Sequence, residues 1–81
     1  MEKILSQKFK DYNNGRFVGM YTEYFGFRRQ GGKLIIDQWM NNEKNTYSRR
    51  LSTRVYNDTE DGRKEANEVY KRLRAKGYTL V

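Results

Sequence analysis

Residues 57–78 of this 81-residue chain read NDTEDGRKEANEVYKRLRAKGY and contain its clearest structural signal. An apolar stripe repeats with the spacing of one helix face at Ala66, Val69, Tyr70 and Leu73. Asn57-Asp58-Thr59 supplies N-cap residues, and Glu60 and Asp61 place negative charge in the first turn. Gly77 suits the left-handed position that ends many helices. The stretch therefore predicts an amphipathic helix near the end of the chain.

Turn signals divide the preceding residues into four segments rich in aromatic and β-branched side chains. The turns are Asn13-Asn14-Gly15, Gln30-Gly31-Gly32-Lys33 and the looser Asn41-Asn42-Glu43-Lys44-Asn45. The predicted strands are Ile4–Asp11, Arg16–Phe27, Leu34–Met40 and Thr46–Tyr56. Because the connections are short, we expect an antiparallel meander. The sequence thus predicts an α+β fold in a single small domain, residues 1–81. An antiparallel β-sheet of about four strands is packed on one face by the C-terminal helix, and residues 78–81 add a short strand or fill the core.

Alternation along the strands predicts which side chains share a face. In the fourth strand, the apolar residues Tyr47, Leu51 and Val55 are predicted to face the core. The outward set is then Ser48, Arg50, Ser52, Arg54 and Tyr56. The second strand has apolar or aromatic residues on both faces, with Phe17, Tyr21 and Phe25 opposite Val18, Met20 and Tyr24. We therefore expect a partner chain, a ligand or the N-terminal segment to cover its second face.

The composition disfavours most enzyme classes. The chain has 17 Lys+Arg, 10 Asp+Glu, a formal net charge of +7, and neither His nor Cys. Without these two residue types, a thiolate nucleophile, a Ser-His triad and a Zn–Cys site are excluded. The carboxylates Glu23, Asp37 and Glu43 are scattered singly, which disfavours metal-dependent cleavage of phosphodiesters. We expect no catalysis, metal or cofactor; the enzymatic alternative is a metal-free ribonuclease using Arg, Lys and Tyr.

The sequence gives no indication of a membrane protein. Its longest apolar run, Leu34-Ile35-Ile36, is too short to span a bilayer, and the N-terminus lacks the apolar region of a signal peptide. A cytoplasmic location is the expectation.

Positive charge is concentrated in particular segments. Residues 46–56 contain three arginines and no acidic residue, and four cations follow the last acidic residue of the helix. An excess of one sign favours polyanion binding, because phosphate contacts release counterions. Arg planes and aromatic rings also stack on unpaired bases. The predicted nucleic-acid-binding residues are Arg28, Arg29, Trp39, Arg49, Arg50, Arg54, Tyr56, Lys71, Arg72, Arg74 and Lys76. As ligands, we expect RNA or single strands in preference to a duplex that is bound sequence-specifically.

Two resemblances agree with this prediction. The stretch Glu65-Ala66-Asn67 through Arg74-Ala75-Lys76-Gly77-Tyr78 resembles the C-terminal helix and Lys-Gly-Tyr ending of WGR domains, which implies nucleic-acid binding. The Trp-Gly-Arg signature is missing, since Met40 and Asn41 follow Trp39. The order of a strand leading into a capped helix is also similar to that of the arm-binding modules of phage integrases.

Two other interpretations stay open. Basic helix ends and polar strand faces also occur on surfaces that are merely solvated. A short, basic, Tyr- and Asn-rich chain without Cys also resembles accessory proteins of large bacteriophages, many of which bind or block a host factor. The alternative function is therefore a protein-interaction effector, acting as an inhibitor of a host factor or as a homodimer.

Overall fold

The computed structural model describes residues 2–43 and 48–81 and has the predicted α+β architecture. In chain order its elements are β1 (Lys3–Asn13), β2 (Arg16–Gln30), β3 (Lys33–Asn42), β4 (Ser48–Asn57), α1 (Glu60–Ala75) and β5 (Thr79–Leu80). Within these residues five strands form an antiparallel sheet in the order β4-β3-β2-β1-β5. The predicted meander is confirmed for β1 to β4. Both predictions for the chain end hold, because Tyr78 is buried and β5 pairs with β1.

Two tight turns connect β1 to β2 and β2 to β3. Asn14 and Gly15 have φ angles of 52° and 78°, and Gly31 and Gly32 have 57° and 73°. Two successive positive φ angles are typical of the type I′ turn, whose twist matches that of the flanking strands. Both predicted turns are confirmed. The third, residues 41–45, lies partly outside the described residues, and its described part extends β3 to Asn42.

Capping residues define both ends of α1. The Thr59 hydroxyl accepts a hydrogen bond from the Gly62 amide at 3.2 Å, as expected of an N-cap. At the other end Gly77 has a φ of 101°, and the Tyr78 amide donates to the Leu73 carbonyl at 3.1 Å. This Schellman arrangement satisfies a free carbonyl at the helix end. It also turns the chain so that Tyr78 enters the core.

The hydrophobic core is small and lies between α1 and one face of the sheet. Its buried members are Leu5, Ile36, Val69, Leu73 and Tyr78. Half-buried side chains packed around them are Phe9, Phe25, Phe27, Tyr56, Ala66 and Tyr70. The Tyr78 ring lies 5.2 Å from that of Phe25 and 6.2 Å from that of Phe9, measured between centroids. We call this side of the sheet the helix face and the opposite side the open face.

The predicted orientation of the fourth strand is wrong for residues 52–56, whereas Ser48 and Arg50 face outward as predicted. β3 pairs Leu34 with Tyr56 and buried Ile36 with Arg54, so Tyr56 and Arg54 lie on the helix face. Val55 lies on the open face and is 57% exposed. Alternation within one strand separates two faces but does not indicate which of them the helix covers. The pairing of β4 with buried Ile36 determines that choice.

A register shift also places Arg50 and Arg54 of β4 on opposite faces of the sheet. Gln38 pairs with Ser52 and Trp39 pairs with Arg50, so Leu51 is skipped as in a β-bulge. The shift places Arg50 on the open face, although Arg54 lies on the helix face. Simple alternation had predicted one shared face for these two arginines. Tyr47, predicted to face the core, lies outside the described residues.

The far end of the β1–β2 hairpin extends beyond the rest of the sheet. The pairing of β3 with β2 ends at Tyr21, so no third strand among the described residues lies beside residues 11–19 of the hairpin. Tyr12 and Phe17 are 57% and 58% exposed there, and their rings meet edge to face at 6.0 Å. This extension contributes to a longest dimension of 45 Å, against 24 and 21 Å across.

Candidate nucleic-acid interface

A cleft of about 230 Å³ opens between β4 and the C-terminal half of α1. Its walls are formed by Phe25, Ile36, Gln38, Ser52, Arg54, Val69, Arg72, Leu73 and Lys76. Three of these residues are cationic, and none is acidic. Arg54 comes from the strand, whereas Arg72 and Lys76 come from the helix. The β4–α1 cleft therefore brings together the two basic segments that the sequence predicted separately.

Local structure explains why these cations converge. Arg54 is placed on the helix face by its pairing with Ile36. Arg72 of α1 and Lys76, the residue that caps the helix end, are four residues apart and so lie one above the other. Buried Leu73 anchors that part of the helix to the core. The cleft cations thus sit at the edge of the packed helix face.

The cleft cations lack internal counter-charges. Among the described residues, no ion pair involves Arg54, Arg72 or Lys76. Glu68 precedes Arg72 by four residues, a spacing that supports helix ion pairs, yet no such pair forms between them. Like charges held close together repel, so an anion bound between them lowers their energy. The β4–α1 cleft is therefore suited to an anionic ligand.

Neutral polar groups continue from the cleft wall across the helix face. The Ser52 hydroxyl donates to Gln38 Oε1 at 2.8 Å, and Gln38 Nε2 donates to Glu23 Oε1. Burial, with a smaller contribution from Glu23, raises the pKa of Tyr78 to about 12. The Glu23 carboxylate thus accepts a hydrogen bond from Gln38 and does not line the cleft.

The arginines at the β2 end are held by carboxylates. Arg28 Nε lies 3.2 Å from Asp37 Oδ2 on the open face. Arg29 Nε lies 2.9 Å from Asp58 Oδ2. Arg50 shares Asp37 with Arg28, at 3.8 Å from Nη1 to Oδ1. Arg28 and Arg50 therefore form a second basic cluster, separate from the cleft.

The other predicted residues occupy different positions. Arg49 pairs with Met40 near the start of β4, and Lys71 and Arg74 are exposed on α1 outside the cleft walls. Tyr56 packs against the core, so its ring contributes to the fold. Trp39 lies on the open face, stacked on Tyr24.

Sequence reasoning missed the neutral members of the site. Gln38 and Ser52 join the cleft because β3 and β4 pair them directly, and neither carries a charge or motif that marks it. The sequence pattern groups Tyr24 only with the apolar and aromatic residues of the second strand. Its partnership with Trp39 follows from the register of β2 with β3, which the two-residue Gly31-Gly32 turn fixes.

A metal-binding cluster and a membrane-spanning helix are both absent from the described part of the chain. No group of three or more carboxylate-type ligands there is arranged to hold a metal ion. No helix in residues 2–43 and 48–81 has the length and apolar character needed to cross a membrane.

Comparison with protein families, with curated proteins and with solved structures finds no match to this chain. The WGR-like ending of α1 and the integrase-like element order therefore stay resemblances.

Proposed function

We propose that the protein binds nucleic acid without catalysing a reaction, with RNA or single strands favoured as ligands. The observation that supports this function best is the β4–α1 cleft, whose three cations come from two elements and have no acidic neighbour in the walls. Each phosphate contact made by such a cation releases condensed counterions, which makes binding favourable and dependent on salt. Arg54 and Arg72 also offer forked donors that match phosphate oxygens.

A titration at several salt concentrations tests this function. Labelled single-stranded RNA, single-stranded DNA and duplex DNA are added to the protein, and fluorescence anisotropy measures binding. With three phosphate contacts to the cleft, the logarithm of the affinity for a single strand should fall with the logarithm of salt concentration with a slope of about −2. Absence of binding to every nucleic acid at low salt would contradict the proposal.

Two pairs of substitutions on α1 locate the binding site. Arg72→Gln with Lys76→Gln removes two cleft cations, whereas Lys71→Gln with Arg74→Gln removes two cations of the same helix end outside the cleft. The cleft pair should reduce the salt slope by about 1.4 and weaken binding roughly 10- to 30-fold at 0.1 M salt. The control pair should have a much smaller effect. Equal losses from both pairs would mean that diffuse positive charge, and not the cleft, binds the ligand.

A protein-interaction effector is the second candidate function. The observation that favours it is the end of the β1–β2 hairpin, where Tyr12, Phe17 and Val18 are each more than half exposed. Association through such apolar side chains persists at high salt, unlike phosphate binding. Light scattering of the purified protein at high salt measures self-association directly.

A further inference from the structure

The open face of the sheet is uncovered in the described structure. It lies opposite the core, and the N-terminal segment that the sequence offered as a cover is β1 itself. By the register of the strands, this face carries Ile4, Ser6, Lys8, Lys10, Met20, Thr22, Tyr24, Gly26, Arg28, Gln30, Lys33, Ile35, Asp37, Trp39, Asn41, Ser48, Arg50, Thr53, Val55 and Asn57. Aromatic and apolar side chains therefore lie next to cations on one uncovered face.

An aromatic pair lies in the middle of this face. Tyr24 and Trp39 are direct partners of β2 and β3, and their rings stack with centroids 5.2 Å apart and planes 9° from parallel. The indole extends over Gly26, where an added Cβ would lie 2.9 Å from Trp39 Cζ3. Gly26 therefore leaves the space that the indole needs to lie close to the backbone. The pair is only half-buried, so part of each ring contacts solvent.

Two guanidinium groups lie beside the aromatic pair. Arg28 and Arg50 both contact Asp37, which also accepts a hydrogen bond from the Thr53 hydroxyl at 2.9 Å. Asp37 holds both arginines, and the Arg50 side chain is still 71% exposed. Arg50 is the direct β-sheet partner of Trp39. The open face thus places free guanidinium donors next to the stacked rings.

The charge of the open face determines which kind of ligand can bind there. This face carries five cations, including Lys8 and Lys10 on β1 and Lys33 on β3, and Asp37 is the one carboxylate among its described members. A second copy docked face to face would bring these cations together, which is unfavourable. A polyanion with exposed π faces matches both the charge and the aromatic pair. In a duplex the bases are stacked on each other and their faces are not accessible, whereas single strands present them.

We propose that the open face binds unpaired nucleobases, which stack on the Tyr24–Trp39 pair while Arg28 and Arg50 contact the adjacent phosphates. This inference rests on the proposed nucleic-acid-binding function and narrows the ligand to single strands. It also adds a base-binding surface on the face opposite the β4–α1 cleft.

The fluorescence of Trp39 tests the inference directly, because it is the only tryptophan of the chain. Oligouridine of about 12 nucleotides and an abasic strand of equal length are each added to the unmodified protein, and anisotropy of a label on the strand measures binding. Oligouridine should quench Trp39 emission in proportion to occupancy, whereas the abasic strand should bind more weakly and leave the emission unchanged. Binding of oligouridine without quenching would overturn the inference and leave the cleft proposal intact. If neither strand binds, both proposals fail.

Substitutions provide the second readout. Tyr24→Ala removes one ring, and Gly26→Ala displaces the indole while retaining every aromatic residue. Each should weaken oligouridine binding roughly 5- to 150-fold, the range for losing one stacked base, and leave abasic binding unchanged. Tyr12→Ala, at the exposed hairpin end, is the matched aromatic control and should have no effect. Circular dichroism checks that each variant is folded, and an equal loss for both strands would contradict stacking.

Discussion

Replacing Gly62 with alanine tests how closely the start of α1 packs on the preceding strand. A Cβ added at Gly62 would lie 1.8 Å from the carbonyl oxygen of Asn57 and 2.9 Å from the carbonyl carbon. Both atoms belong to the backbone, so no side-chain rotation relieves the contact. The helix start must move by more than an ångström, although the Thr59 cap holds the Gly62 amide.

The magnitude follows from three opposing effects. Alanine is favoured over glycine in a helix by about 1 kcal/mol. Overpacking of this kind costs about 1–3 kcal/mol, and loss of the Thr59 cap costs about 1 kcal/mol more. The net expectation is that Gly62→Ala lowers the free energy of unfolding by about 1–3 kcal/mol. Helix propensity alone predicts the opposite sign.

Urea unfolding followed by far-ultraviolet circular dichroism measures this difference. Asn67→Ala is the control, because Asn67 is an exposed residue of the same helix and its replacement improves helix propensity without a clash. The control should be unchanged or slightly more stable. A Gly62→Ala variant as stable as the control would refute the argument that the Asn57 carbonyl excludes a side chain.

Three further predictions concern stability. Leu5→Ala, at a fully buried position, should cost about 2–5 kcal/mol in urea unfolding, and a loss below 1 kcal/mol would show that the core collapses around the gap. Thr59→Ala should cost about 1 kcal/mol, with Thr59→Ser as the control that keeps the hydroxyl cap. Because the folded protein raises the pKa of Tyr78 from 10.0 to about 12, its neutral form contributes stability that is complete below pH 10 and is lost as the pH rises to about 12. Tyr78→Phe should remove this part of the pH dependence, and identical stability curves for the two proteins above pH 10 would contradict it.

Local signals predicted the elements of this fold well. The stripe from Ala66 to Leu73, the Thr59 cap and Gly77 are interactions within a few residues, so the sequence alone determines where α1 begins and ends. The type I′ turns follow from Asn and Gly in the same way. Strand ends were less accurate, since β2 continues to Gln30 and not to the predicted Phe27. Pairing with β3 sustains those extra residues.

Contacts between distant residues were not predictable from local patterns. The face of β4 depends on its register with Ile36, and the opposite placement of Arg50 and Arg54 depends on the skipped residue Leu51. The sequence therefore indicated a concentration of positive charge on β4 but placed Arg54 on the same face as Arg50. The meeting of Arg54 with Arg72 is a consequence of how α1 folds back on the sheet.

Because β4 lies at the outer edge of the sheet, its arginines also affect how the protein aggregates. The outer backbone groups of an edge strand are a template for strand addition, and cationic side chains oppose the aggregation that follows. Arg49, Arg50 and Arg54 all lie on β4, so neutralising them should remove this protection. The positive charges of β4 therefore protect its free edge from strand addition by other copies of the chain.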